Sequence, residues 1–282
     1  MSNFSYIPFK ASESPLEKSG DFLSSKGIAY CRLHVSNRVI DLISVHVHAS
    51  TSHDDFFTLR TLQIHQLAQF IRKISSRGTP IIVAGDLNTE FPELPMQYLL
   101  KTIGLYDSID FTEKDTKNVV TYVGYGDSSV HEKVRIDYIL CNKFVKITES
   151  HICFNDPNVQ YSDHYGVSAT MRFEEVKLEC EIQDLADSML NKLTEKREDP
   201  RLPFALKLNT IAFLAFMVTG QFNYVKKSLI LNILNLLGSS FIFGMGSILF
   251  LIQKYHSRSQ AHHHLETIEE LKVEIKHSQS VT

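Results

Sequence analysis

The sequence predicts an α/β fold that is followed by a two-helix transmembrane hairpin, and three observations support this prediction. Strand-like runs alternate with helical patterns along residues 1–173, which indicates a sheet with helices packed on its faces. Residues 81–85, IIVAG, are apolar or small throughout, as is typical of a strand that is buried on both faces. Two long apolar segments, residues 202–222 and 229–252, follow one another near the C-terminus.

The N-terminal elements follow from the period of their apolar residues. Residues 28–48 hold two strand-like runs, IAYCRLHV and RVIDLISVHVH, which the turn-prone SNR joins. Residues 54–74 repeat apolar side chains at helical spacing and therefore predict a helix. A shorter helix, ELPMQYLLKTIG, is closed by its glycine. Two further strands are predicted at residues 135–141, RIDYILC, and 166–173, GVSATMRF.

The C-terminal third carries the predicted membrane hairpin. Residues 229–252 contain no charged side chain, and a helix of about 20 apolar residues can cross the hydrocarbon layer. Residues 202–222 reach the same length if Lys207 extends towards the interface, whereas a pair of buried core helices is the alternative. Lysine and arginine are more frequent on the outer flanks than in the connecting loop. The positive-inside rule then predicts an integral, two-pass membrane protein whose N-terminal region faces the cytosol.

Two polar segments flank the predicted hairpin (202–252). A helical linker, residues 174–201, precedes it, and a tail, residues 253–282, follows it.

Composition limits the remaining possibilities. The net charge of −3 argues against an indiscriminate nucleic-acid binder, because such proteins are usually basic. The four cysteines form no CxxC motif, and no apolar signal segment opens the chain. Reduced thiols in a cytosol-facing protein are the prediction, with a disulfide pair as the alternative.

Two polar side chains directly follow the apolar strand in the segment IIVAGDLNTE. Asp86 and Asn88 are two residues apart, so on an extended chain they project from the same face. Open α/β sheets tend to place their ligands at the carboxyl ends of strands. A carboxylate beside an amide suits a phosphate next to a hard cation, since the carboxylate binds the metal or a water and the amide donates to the phosphate. The alternative is a turn in which both residues cap backbone groups.

Further polar residues lie at the ends of other predicted strands. His46 and His48, in SVHVHAS, are two residues apart and share a face. Asp137, in RIDYIL, lies between apolar neighbours, where a lone carboxylate is costly unless it is paired. Asp163 and His164 precede the last strand, in YSDHYGVSA. A histidine held by a carboxylate is a common general base near neutral pH, so Asp137 is predicted to orient His164 while Asp163 faces a metal.

The order of these motifs resembles that of the endonuclease/exonuclease/phosphatase superfamily, whose members are metal-dependent phosphodiesterases and phosphatases. Within it, the histidine strand, the segment GDFLSSKGIA and the predicted hairpin resemble the eukaryotic neutral sphingomyelinases. The resemblance covers about residues 6–173 together with the hairpin. It implies that residues 1–173 form part of a two-sheet β-sandwich flanked by helices. The implied activity is Mg²⁺-dependent hydrolysis of sphingomyelin in the bilayer to ceramide and phosphocholine, with the membrane and not nucleic acid as partner.

The resemblance also implies roles for individual residues of this chain. Asp86 and Asn88 match the catalytic aspartate and the phosphate-binding asparagine of the superfamily. His46 matches the histidine that contacts the phosphate or the leaving oxygen. His164 matches the general base, and Asp137 matches the residue that orients it.

One departure from the superfamily concerns the metal ligands. Asp163 matches the metal-side aspartate, but the principal Mg²⁺ ligand of the superfamily is a glutamate on an early strand, and we expect this chain to begin after it. Glu13 and Glu17 lie in a loop-like stretch and are not expected to replace it. The sequence therefore predicts an N-terminally incomplete catalytic domain that is weakly active or inactive. The alternatives are a nuclease or phosphoinositide phosphatase of the same superfamily, or a truncated membrane-bound pseudoenzyme.

Overall fold

The computed structural model shows a mixed α/β fold. It describes residues 3–13, 21–49, 56–112, 116, 118–124, 133–156, 158–177, 185–195, 210, 211, 214 and 229–281. The strands are β1 (Asn3–Pro8), β2 (Gly27–Val35), β3 (Arg38–His46), β4 (Ile81–Asp86), β5 (Leu105–Asp107), β6 (Asp137–Asn142), β7 (Lys146–Cys153) and β8 (Gly166–Arg172). The helices are α1 (Phe57–Ser75), α2 (Leu94–Ile103), α3 (Ser108–Thr112), α4 (Leu185–Glu195) and α5 (Leu229–Val281), with a short 3-10 helix at Asp21–Ser24.

Six of the strands form one sheet in the order β1-β2-β3-β4-β6-β5, and β7 pairs with β8 in a second, smaller sheet. The pair β3–β4 is parallel, whereas the other pairs are antiparallel. The parallel pair is joined through α1, because two parallel neighbours need a crossover connection that returns the chain to the same end of the sheet. This crossover places the carboxyl ends of β3 and β4 side by side.

The central strands of the large sheet are apolar on both faces, as the sequence predicts for β4. Ile81 and Val83 pack into the larger core, which α1 and α2 share. Ile82, on the opposite face, packs into a smaller core. That smaller core also contains Ile147 of β7 and Met171 of β8, so the second sheet contributes to it. Alternation of side chains along a strand thus directs neighbouring residues into two different cores.

The predicted closure of α2 by a glycine is seen in the structure. Gly104 has a φ of 71°, in the left-handed region, and its N–H donates to the carbonyl oxygen of Leu100 at 3.0 Å. Glycine adopts this conformation without the penalty that a Cβ atom imposes, which makes it the commonest residue after a helix end. The helix begins with Pro95 in its first turn, where the missing N–H has no intrahelical acceptor to lose.

The predicted transmembrane hairpin is wrong, and with it the predicted two-pass topology. Residues 229–252 do not end as a separate apolar helix, because α5 continues from Leu229 to Val281 and takes in the charged residues that follow. Within the part of the chain that the structure describes, no helix combines the length and the apolar character that a bilayer crossing requires. Of residues 202–222, predicted as the first half of the hairpin, all but Thr210, Ile211 and Leu214 lie outside the described residues. Hydropathy counts apolar residues but does not show where a helix ends.

The chain divides into two compact units. The first consists of residues 1–12, 24–196 and 264–282, and it contains both sheets, helices α1 to α4 and the C-terminal part of α5. The second consists of residues 13–23 and 197–263. All the residues of the candidate site lie in the first unit.

Candidate active site

Three polar side chains lie in one row across adjacent strands of the large sheet. His46, the last residue of β3, pairs with Asp86, the last residue of β4. Asp86 in turn pairs with Asp137, the first residue of β6. Residues that are directly opposite each other on neighbouring strands project from the same face, so the three side chains converge. The Nε2 atom of His46 lies 3.4 Å from Oδ2 of Asp86.

The close packing of β3 against β4 requires a glycine at the position before Asp86. Gly85 has a φ of 147°, and a Cβ atom at this position would lie 1.9 Å from the carbonyl oxygen of Val45 on β3. No side chain fits in that space, because non-bonded heavy atoms do not approach so closely. Glycine therefore lets β4 approach β3 closely just before it presents Asp86.

His164 reaches the row from the segment before β8. Its Nδ1 atom lies 2.8 Å from Oδ2 of Asp137. A carboxylate only accepts hydrogen bonds, so Nδ1 carries the hydrogen and Nε2 is the atom that can accept a proton. One ligand atom from each of Asp86, Asp137 and His164 lies within 4.8 Å of the others, and among the described residues these three form the group that could share a metal ion.

Asn88 lies against Asp86 and turns its amide inwards. Its backbone has a φ of 46°, in the left-handed region that asparagine tolerates better than most residues. Its N–H donates to Oδ1 of Asp86 at 2.8 Å, and its Nδ2 donates to Oδ2 of Asp86 at 3.0 Å and to the carbonyl oxygen of Val47 at 2.9 Å. This arrangement is the turn that the sequence left open as an alternative. Binding of a phosphate by Asn88 stays a prediction.

Asp163 and His48 are not part of the three-residue group. Oδ1 of Asp163 accepts a hydrogen bond from the hydroxyl of Ser162 at 3.2 Å. Its assignment as a metal ligand stays a prediction. His48 is buried, and its ring packs against that of Phe56 with the ring centres 4.3 Å apart. Its Nδ1 atom lies 2.9 Å from the carbonyl oxygen of Ala49, so His48 serves to pack the end of the histidine segment.

The environment of the site changes the acidity of two of its members. Burial and the nearby charge of Asp137 raise the pKa of Asp86 to about 6, against the opposing effects of the Asn88 N–H, His164 and Lys26. The hydrogen bond to Asp137 raises the pKa of His164, and the charges of the surrounding aspartates act in the same direction. The imidazole of His164, with a pKa above that of free histidine, therefore lies beside the carboxyl group of Asp86, which ionises at a higher pH than an ordinary aspartate.

The same residues fit a hard divalent cation. Carboxylate oxygens are the ligands that Mg²⁺ and Ca²⁺ prefer in proteins, and Asp86 and Asp137 present two carboxylates close together. Their mutual repulsion contributes to the raised pKa of Asp86, and a bound cation would relieve it. The site thus has the chemistry of a cation site that is joined to a histidine base.

Two residues that the sequence did not single out support the pair formed by Asp137 and His164. The buried hydroxyl of Thr121 accepts hydrogen bonds from the backbone N–H groups of Ile136 and Asp137, at 2.9 and 3.0 Å. Tyr122 forms β-bridges with both Val134 and His164, and its ring centre lies 4.9 Å from that of His164. Residues 121 and 122 therefore connect the start of β6 to the segment that carries His164. No periodic pattern marks it in the sequence.

Replacing Thr121 with valine should lower the free energy of unfolding by about 2–3 kcal/mol, because two buried backbone N–H groups lose their acceptor. Urea unfolding of the full chain, followed by circular dichroism, measures this loss. Thr121→Ser is the matched control, since it keeps the hydroxyl oxygen and should lose less than half as much. Equal losses in the two variants would contradict the role assigned to the hydroxyl.

Two mammalian sphingomyelin phosphodiesterases are similar to the chain. Sphingomyelin phosphodiesterase 2 of Rattus norvegicus is 31% identical over 173 residues, which cover 54% of this chain and 40% of that protein. The Homo sapiens protein of the same name is 29% identical over 175 residues, with the same two coverages of 54% and 40%. The chain thus spans less than half the length of these relatives.

Among solved structures, an endonuclease/exonuclease/phosphatase from Beutenbergia cavernae DSM 12333 is similar to the chain. The two have a TM-score of 0.48 and 19% sequence identity, and the match covers 62% of this chain and 45% of that chain.

The strongest assignment comes from the sequence profile of a whole family. The profile of the Endonuclease/Exonuclease/phosphatase family matches residues 12–164, which is more than half of the chain. The matched range begins before β2, ends at His164 and includes His46, Asp86 and Asp137. The chain therefore belongs to the endonuclease/exonuclease/phosphatase family.

Proposed function

We propose that the chain is a Mg²⁺-dependent phosphodiesterase that hydrolyses sphingomyelin to ceramide and phosphocholine. The observation that carries the proposal is the group of Asp86, Asp137 and His164, whose ligand atoms lie within 4.8 Å of one another. Such a group combines an oriented base with a cation site, which is the equipment that hydrolysis of a phosphodiester needs. The similarity to the two sphingomyelin phosphodiesterases supports the choice of substrate.

His164 is the proposed general base. Asp137 holds its Nδ1–H at 2.8 Å, so Nε2 can take a proton from the water that attacks the phosphorus. The water oxygen forms a new bond to phosphorus while the bond from phosphorus to the ceramide oxygen breaks. The ceramide oxygen then takes up a proton, and phosphocholine is released. The raised pKa of His164 makes Nε2 a stronger proton acceptor in the molecules whose ring is neutral.

The other members of the row bind and orient. His46 is about half exposed, and its Nε2 atom lies 3.4 Å from Oδ2 of Asp86, so its ring lies at the surface of the site, where its proposed contact is the phosphate or the leaving oxygen. Asp86 is held by two hydrogen bonds from Asn88 and needs its ionised form to bind a cation. A Mg²⁺ ion bound by Asp86 and Asp137 would neutralise negative charge on the phosphate oxygens.

The proposal is tested by measuring phosphocholine release by the full chain from mixed micelles of sphingomyelin and detergent. Release should require Mg²⁺ and stop with a chelator. The rate should be low, because two carboxylates leave most positions around the ion to water and hold it weakly. Two competing substrates are assayed: a phosphoinositide in micelles, and a single-stranded oligonucleotide in solution. Absence of release from sphingomyelin at every Mg²⁺ concentration, or faster hydrolysis of either competitor, would refute the proposal.

A further inference from the structure

The C-terminal part of α5 carries a row of carboxylates on one face. Glu266, Glu270 and Glu274 recur at every fourth residue, and residues four apart on a helix lie one above the other. Leu271, between them, is completely buried, and Thr267 is nearly so. This part of α5 belongs to the first compact unit, and its buried leucine lies in the core that it shares with α1 and α2.

The middle carboxylate contacts a buried histidine of α1. The Nε2 atom of His65 lies 2.9 Å from Oε2 of Glu270, and Nε2 is the donor because a carboxylate only accepts. The side chain of His65 is only 2% exposed. Its Nδ1 atom lies 3.1 Å from the hydroxyl oxygen of Tyr98 on α2, and the two rings are stacked. The hydrogen bond from His65 lowers the pKa of Glu270.

The two outer carboxylates contact an arginine and a lysine. Glu274 binds both terminal nitrogens of Arg72 on α1, with Nη1 to Oε2 at 2.9 Å, and its Oε2 also accepts from the hydroxyl of Tyr98 at 3.1 Å. Glu266 pairs with Lys10 at 3.2 Å, in a more exposed position. Exposed ion pairs contribute little to stability, whereas pairs that are partly removed from water are more sensitive to the loss of one partner.

We propose that Lys10, α1 and α2 form a docking site for an acidic amphipathic helix, and that residues 264–276 of α5 are the helix that occupies it. Each of the three carboxylates has its own partner, Lys10, His65 or Arg72, so the contacts specify a single register. A shift by one residue would rotate the carboxylate row by about 100° away from its partners. A shift by four residues would leave one partner without a carboxylate. The docking site lies outside the residues assigned to catalysis.

A charge exchange in the full chain tests this proposal. Arg72→Glu and Glu274→Arg, each alone, should increase the rate of backbone hydrogen exchange across residues 264–276 by about 10-fold, since each places like charges together. The double variant restores opposite charges and should return exchange to within about 3-fold of the native rate. Glu269→Gln, on the exposed face of the same helix, is the matched control and should leave exchange within about 2-fold of the native rate, because it removes only an exposed ion pair with Lys272.

Exchange in β4, measured in the same samples, separates undocking from loss of the fold. Faster exchange that is confined to residues 264–276 supports the proposal. Where a charge reversal also accelerates β4, the milder Glu274→Gln replaces it, and it should raise exchange in residues 264–276 alone. Single variants without any effect, a double variant as fast as the singles, or a control as fast as the singles would each overturn the proposal.

Discussion

Replacement of His164 by alanine should lower kcat for sphingomyelin hydrolysis by about 10²–10⁴-fold, the range expected when a general base is removed. The structural reason is the 2.8 Å contact that fixes Nδ1 on Asp137 and leaves Nε2 as the proton acceptor. The KM should change much less, because the base acts on the attacking water and not on the lipid. Initial rates of phosphocholine release at several sphingomyelin concentrations measure both parameters.

His151→Ala is the matched control for this variant. His151 is an exposed histidine of β7, so its removal should leave kcat within about 2-fold of the native value, as expected for surface substitutions.

The pH dependence of kcat supplies a second check on His164. His164 acts as a base only when it is neutral, so kcat should rise with pH through a pKa above that of free histidine. Asp137→Asn removes the charge that raises this pKa, and the rise should move to lower pH. Near-normal kcat in His164→Ala would eliminate the assignment.

Replacement of Asp86 by asparagine should abolish the response to Mg²⁺ and lower kcat by at least about 10²-fold. The reason is that the cation, which would neutralise negative charge on the phosphate oxygens, loses one of its two carboxylates. The same change should stabilise the cation-free protein at pH 7.5. Asp86 has a pKa of about 6 in the folded chain, against an ordinary value of 3.8. The folded state therefore binds this proton more tightly than the unfolded state does, and stability falls as pH rises from about 4 to about 6.

The size of this effect follows from the shift in pKa. A difference of 6 − 3.8, about 2 units at 1.36 kcal/mol each, corresponds to about 3 kcal/mol that is lost in full above pH 7. Asparagine cannot ionise, so Asp86→Asn removes this loss. It also removes one acceptor for the amide of Asn88, which costs about 1 kcal/mol. The net expectation is a gain of about 1–2 kcal/mol at pH 7.5, measured by urea unfolding with a chelator present.

A second aspartate offers a matched control. Asp156 stands two residues before Asn158, and it accepts hydrogen bonds from the N–H and Nδ2 of that asparagine as Asp86 does from Asn88. It lies at an exposed position, so Asp156→Asn should leave the response to Mg²⁺ unchanged. If Asp86→Asn retains the stability increase that Mg²⁺ produces, the cation binds elsewhere and the proposed donor set is wrong.

Part of the site was predictable because its information is local. A strand that is apolar at every position indicates burial on both faces, and the polar residues that follow it must lie at the end of the sheet. This places Asp86 at the end of its strand, whereas the pairing of β3 with β4 that brings His46 beside it is seen only in the structure. The pairing of Asp137 with His164 was predictable for a different reason, since a carboxylate between apolar neighbours in a strand needs a partner.

Other features depend on contacts between distant parts of the chain, and the sequence alone left them open or did not predict them. The inward turn of Asn88 depends on the carbonyl of Val47, which lies 41 residues away. The support that Thr121 and Tyr122 give to the base comes from a segment with no periodic pattern.

The largest error concerned the C-terminal region. The uncharged run at residues 229–252 predicted a membrane hairpin, whereas the structure extends α5 to Val281 and no described helix satisfies the requirements of a bilayer crossing. The sequence by itself determined the α/β alternation, the buried strand β4 and the chemical types of the site, because each follows from the period or the position of residues along a few turns or strands. Only the tertiary structure decided where α5 ends, how its carboxylates pair with α1 and α2, and which groups hold Asp86 and His164. These features arise from side chains that are brought together across tens to hundreds of residues, a proximity that no local pattern records.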